Sequence, residues 1–123
     1  MVDVTPIVPA GRQLVESYGD GRFRISGAVY EGSVIIQPDR TTAWAVAAFE
    51  EVTAESFGVL DAEPPDILLL GCGTSMRLVP PALRRTLRER GMVVEPMDTG
   101  AACRTYNVLL AEGRRVAAAV IAI

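Results

Sequence analysis

Histidine is missing from this chain of 123 residues, and so is lysine. Without His, the commonest general base and the commonest metal ligand are gone. Ser-His-Asp and Cys-His catalysis and His-containing zinc sites are thereby excluded. All twelve basic residues are Arg. That bias reads as GC-rich coding rather than as a phosphate-reading surface. The formal net charge is −3, which argues against a nucleic-acid partner, because neutralising phosphates takes a basic surface. Aromatics are scarce: three Phe, three Tyr and one Trp, too few for a base-stacking platform. Only two cysteines occur, Cys72 and Cys103, and they form no C-x-x-C pair. They read as free thiols of a soluble protein in the reducing cytoplasm. The longest apolar run, 116–123, is too short to span a bilayer. The opening MVDVTPIVPAGRQ lacks a charged stretch followed by an apolar core, so it does not read as a signal peptide. No metal site and no cofactor are expected.

What is present is an apolar chain. Half of the residues are hydrophobic, enough for one core in a single domain spanning 1–123. Residues 1–20 look extended or loose, with Pro6, Pro9 and Gly11 as breakers and 1–14 as a loose arm. Short strand-like pieces follow. Phe23 and Ile25 alternate with Arg22 and Arg24, Ala28 and Tyr30 follow Gly27, and Val34 to Ile36 follow Gly32. Gly27 and Gly32 suit turns, so this half reads as an antiparallel meander. Residues 41–49 fit strand or helix, with strand favoured over 41–46 and Trp44 as its anchor.

The carboxyl half has a different texture. Thr53 suits the cap of a short helix, with Glu55 in its first turn. Pro64-Pro65 leads into an unbroken apolar run, 67–70, of the kind found in central strands covered on both faces. Pro80-Pro81 opens a helix that runs to about Arg90 and stops at Gly91. Val79, Leu83 and Leu87 form its apolar stripe, and Arg84, Arg85, Arg88 and Arg90 read as its solvated face. A short strand covers 92–95. Asp98 or Thr99 caps a last helix whose stripe is Ala102, Cys103, Tyr106, Leu109 and Leu110. Gly113 ends that helix, and 115–123 reads as a further buried strand. This order predicts an α/β fold: one mixed sheet with helices packed on it, plus a smaller β layer.

The segment DILLLGCGTS, 66–75, carries the most information. A buried strand running into Gly71-Cys72-Gly73 forms a turn where α/β proteins bind ligands. The segment resembles the first motif of class I methyltransferases, which cradles S-adenosylmethionine, and Glu95 is the candidate for that motif's acidic residue. Ser75 replaces the third glycine, too little chain follows, and residues 76–80 delay the helix. This remains a minor alternative.

The whole order resembles another family more closely. GRFRISGAVYEGSVIIQP at 21–38, Trp44 and DILLLGCGTS through AVIAI at 66–123 are its matching pieces. The most specific are the Gly-x-Gly loop, Met97-x-Thr99, and Arg104-Thr105-Tyr106-Asn107. The family is one of small domains of unknown biochemical function whose human relatives include a mitochondrial complex I assembly factor and an adipogenesis-associated protein. Where its pattern often has Thr, this chain has Cys72, which argues against a shared chemical role for the thiol. The resemblance implies a three-layer α/β fold with a mixed central sheet. It also implies a protein partner and a role in assembling complexes, and it supplies no reaction.

If the glycine loop lies beside the start of the last helix, Gly71, Gly73, Thr74, Ser75, Arg77, Thr99, Arg104 and Asn107 converge. Backbone N–H groups and Arg then suit a small anionic ligand. The blander view makes these residues loop ties. Cys72 and Cys103 read either as two small buried hydrophobes or as a redox pair near one junction. No carboxylate pair stands out, and no catalytic residue is assigned. The leading expectation is a non-enzymatic assembly module; the alternative is a small-anion-binding protein or enzyme using the glycine loop and Arg104. A homodimer is one way to cover an edge strand.

Overall fold

The computed structural model describes residues 11–123. Expectations for residues 1–10, including Pro6 and Pro9, lie outside the described residues. Five strands occupy the amino half: β1 (Val15–Gly19), β2 (Arg22–Ile25), β3 (Ala28–Glu31), β4 (Val34–Gln37) and β5 (Arg40–Ala43). Two 3-10 segments follow, Phe49–Glu51 and Ala54–Leu60. Then come β6 (Ile67–Gly71), α1 (Pro81–Glu89), β7 (Val93–Met97), α2 (Thr99–Ala111) and β8 (Val116–Val120).

The strands form two sheets. The smaller has the order β1-β2-β3 and is antiparallel; the larger has the order β5-β4-β8-β6-β7. In the larger sheet β6 runs parallel to both β7 and β8, while β4 runs antiparallel to β5 and β8. It is therefore mixed, as expected. The meander, however, does not stay together. β4 and β5 leave it and extend the main sheet, because β4 is buried at every position and needs cover on both faces.

Strand alternation sorts the core into two halves. Ile35, Leu68, Leu70, Val94, Ala117 and Ala119 face α1 and the 3-10 segments. Val34, Ile36, Leu69, Ala118 and Val120 face α2 and the inner side of the small sheet. The result is three layers: α1 and the 3-10 segments, the five-stranded sheet, then α2 with the small sheet.

Several local readings change. Part of the expected loose arm is held: Gln13 N–H donates to Pro38 O at 2.9 Å, and Leu14 N–H to Ser26 Oγ at 2.9 Å. β1 then begins at Val15, inside a stretch expected only to be extended or loose. Trp44 lies just past β5 and still anchors the core, with its ring N–H donating to Ser56 O at 2.7 Å. The segment after Thr53 is 3-10 rather than α, with Thr53 N–H donating to Ser56 Oγ at 2.9 Å. Gly58 inside it and Pro64 just beyond leave no room for a longer α-helix. On α1, Arg84 and Arg90 are not simply solvated: they donate to Val94 O and Ala54 O, each at 2.9 Å. Gly91 follows the helix with φ +91°, the left-handed conformation that suits its C-terminal position.

Candidate functional site

Gly71 pairs with Met97 of β7 and Val120 of β8. The glycine turn therefore leaves the sheet at the carboxyl ends of three parallel strands, the usual ligand position in α/β folds. Asp98 caps α2 beside it, accepting from Ala101 N–H at 2.9 Å. The turn and the helix start do lie side by side.

Their contact is a closed joint. Thr99 is fully buried. Its hydroxyl accepts from Gly73 N–H at 3.0 Å and donates to Ile121 O at 2.7 Å, while its N–H donates to Gly73 O at 2.8 Å. Cys72 N–H donates to Met97 O at 2.8 Å. The turn amides of Cys72 and Gly73 are thus already partnered within the fold. A Cβ on Gly71 would lie 2.8 Å from Val120 Cγ1 and 3.1 Å from the Thr99 Cα. The first glycine is there for close approach of β8 and α2, and Gly73 for its φ of +107°.

The remaining candidates disperse from this joint. Thr74, Ser75 and Arg77 are exposed on the loop that leads to α1. Arg77 Nη1 is 2.8 Å from Glu50 Oε1, and its guanidinium lies over the Phe49 ring at 4.9 Å. Hydrogen bonding from backbone and from Arg77 holds the Glu50 carboxyl below its ordinary range. Arg104 Nη1 donates to Tyr18 Oη at 2.6 Å. Asn107 faces the small sheet: Oδ1 accepts from Val15 N–H at 2.9 Å, and Nδ2 donates to Val15 O at 2.8 Å. So Gly71, Gly73 and Thr99 come together, Arg104 and Asn107 serve β1, and Arg77 serves the 3-10 segment. Glu95 sits mid-strand opposite Leu69, short of the glycine turn.

Sequence reasoning missed Tyr18, Glu50 and Phe49. Tyr18 also covers Gly100, where an added Cβ would lie 2.6 Å from its hydroxyl. Nothing in the local sequence announces this contact, because Tyr18 and Arg104 are 86 residues apart.

The cysteines separate. Cys72 belongs to the core half under α1, and Cys103 to the half under α2. The sheet lies between them, so they form no redox pair. Burial pushes both thiols up, Cys103 to about 12. Both are the small buried hydrophobes of the blander reading. Among the described residues there is no group of His, Cys, Asp and Glu that could hold a metal ion, and no helix is long and apolar enough to cross a membrane.

The fold and joint together define a class: a small α/β domain whose glycine turn locks the carboxyl ends of parallel strands to a helix. The chain belongs to the family described as protein of unknown function (DUF498/DUF598), whose model matches residues 15–121. It is 40% identical over 112 residues to an uncharacterized protein of Rhodobacter capsulatus, covering 91% of this chain and 86% of that one. It is 33% identical over 109 residues to the bovine (Bos taurus) NADH dehydrogenase [ubiquinone] 1 alpha subcomplex assembly factor 3. That match covers 87% of this chain but only 59% of the assembly factor. A crystal structure of a protein from Bordetella parapertussis superposes with a TM-score of 0.85 at 35% identity, covering 94% of this chain and all of that one. These relatives agree with the family expected from the order of motifs.

Proposed function

We propose that this domain is a non-enzymatic, protein-binding module that acts in assembling or stabilising a protein complex. The observation that carries this reading is the loop between β6 and α1. It displays Met76 and Leu78 at 52% and 81% exposure, between ends fixed in the core by Cys72 and Val79. Large apolar side chains held out on an anchored loop suit protein contact rather than solvent. The Arg77–Glu50 pair and the Phe49 ring stiffen that loop, which lowers the entropy lost on docking. The relationship to the bovine assembly factor supports the same reading.

The partner is a protein rather than a nucleic acid, in keeping with the net charge of −3. The test is affinity capture from the native host with wild-type chain and with a Met76→Asp/Leu78→Asp double variant. The wild type is expected to retain a stable partner that the variant loses, with matching circular dichroism for both baits. Wild-type bait returning no stable partner counts against the proposal. Light scattering at the working concentration tells a second copy of the chain from a different protein.

A further inference from the structure

A cleft of about 330 Å³ opens at the other end of the main sheet, beside the first residues of β8. That volume sits at the small end of the range for small-molecule sites, about 300–1,000 Å³. Its floor is apolar, built from Pro65 ahead of β6, Leu110 of α2 and Val116 of β8, all buried. Its rim is charged with both signs: Arg12, Arg114 and Arg115 against Asp39 and Glu63.

Arg115 is engaged, donating to Pro64 O at 3.0 Å and lying 4.0 Å from Asp66. Among the described residues, Arg114, Asp39 and Glu63 form no ion pair. Opposite charges thus share one opening without joining one another. Gln37, 4% exposed, also lines the cleft; its amide oxygen accepts from Arg40 at 3.0 Å. One helical turn before Leu110, though not itself lining the cleft, Tyr106 has a fully buried hydroxyl with no hydrogen-bond partner among the described residues. Burial pushes that hydroxyl's pKa up, with smaller and opposing contributions from Arg12 and Asp39 on the rim. Buried polar groups are rarely left unpaired in a finished fold.

We propose that this cleft binds a small zwitterion of the α-amino-acid class with an aliphatic side chain. The carboxylate lies on Arg114 and the Gln37 amide. The ammonium lies toward Asp39 and Glu63, and the side chain covers Pro65 and Leu110. A guanidinium takes a carboxylate in paired hydrogen bonds, and a ligand carrying both charges satisfies both signs of the rim. The site is separate from the loop at Met76 and Leu78 and does not depend on the assembly role.

The experiment is an amide-shift titration of the labelled full chain by NMR with leucine, 4-methylpentanoate, 3-methylbutylamine and inorganic phosphate. Leucine is expected to shift residues 37–39, 63–66 and 110–117 saturably. It should bind about tenfold tighter than either singly charged analogue, the loss expected for one charged hydrogen bond. Arg114→Gln should weaken leucine and 4-methylpentanoate about tenfold but not the amine, and Asp39→Asn should weaken leucine but not 4-methylpentanoate. The absence of saturable shifts at the cleft overturns the proposal. Equal binding of the three organic probes overturns it too, as does phosphate binding there more tightly than leucine.

Discussion

At the scale of single residues, Thr99 has more to hold than any other polar group near the glycine turn. Its hydroxyl links the turn to the segment after β8 where water cannot substitute. Thr99→Val keeps the shape but orphans Gly73 N–H and Ile121 O. It is expected to cost about 2–3 kcal/mol in urea unfolding, while Thr99→Ser, which keeps the hydroxyl, should retain most of that. Gly71→Ala forces a methyl against Val120 and the Thr99 backbone and should cost about 1–3 kcal/mol. Cys103 gives a pH signature. Its thiol is raised from 9.0 to about 12 by burial, so the folded state keeps the proton that the unfolded state releases. Its contribution is whole below pH 9 and fades between about 9 and 12, and unfolding free energy should fall across that window. Cys103→Ala should flatten the slope; a parent slope unchanged by the substitution would assign it elsewhere, as to Tyr106, also raised by burial.

At the scale of elements, β1 shows where sequence reading stops. Asn107 gives Val15 both a donor and an acceptor, as a neighbouring strand would, and the β1–β2 register shifts just there. Asn107→Ala should cost about 2 kcal/mol and leave the β1 amides open to hydrogen exchange, while β6 and β8 stay protected. No local pattern in 11–19 announces where the strand begins: β1 pairs with β2, its neighbour in the chain, but its first residue, Val15, is held by Asn107 of α2, 92 residues on. By contrast, β6, β8, α1 and α2 were legible, because apolar runs, Pro80-Pro81, Gly91 and Asp98 act through neighbours in the chain. The split of the meander was not read, although β2 (RFRI) alternates Arg with apolar residues and β4 (VIIQ) opens on an unbroken apolar run, the difference that suits β4 to a place inside the main sheet between β5 and β8. The glycine joint was readable and its closure was not. Thr99 read as a ligand contact until its three hydrogen bonds placed it between turn and strand.

At the scale of the molecule, α2 and the glycine turn unite the layers, and the Met76–Leu78 loop and the charged cleft occupy opposite ends of the main sheet. Binding at one end therefore leaves the other open. The strand order has a second effect. β8 is last in the chain yet lies between β4 and β6, and both core halves include its residues. Removing residues 114–123 takes a strand shared by both core halves and should leave a chain with no dispersed NMR spectrum; a spectrum that kept dispersed amides would show one half folding without it. During synthesis, then, β4 and β6 emerge from the ribosome with facing edges that nothing yet fills. Until β8 follows them, the two strands are half-sheets whose open facing edges invite pairing with other chains.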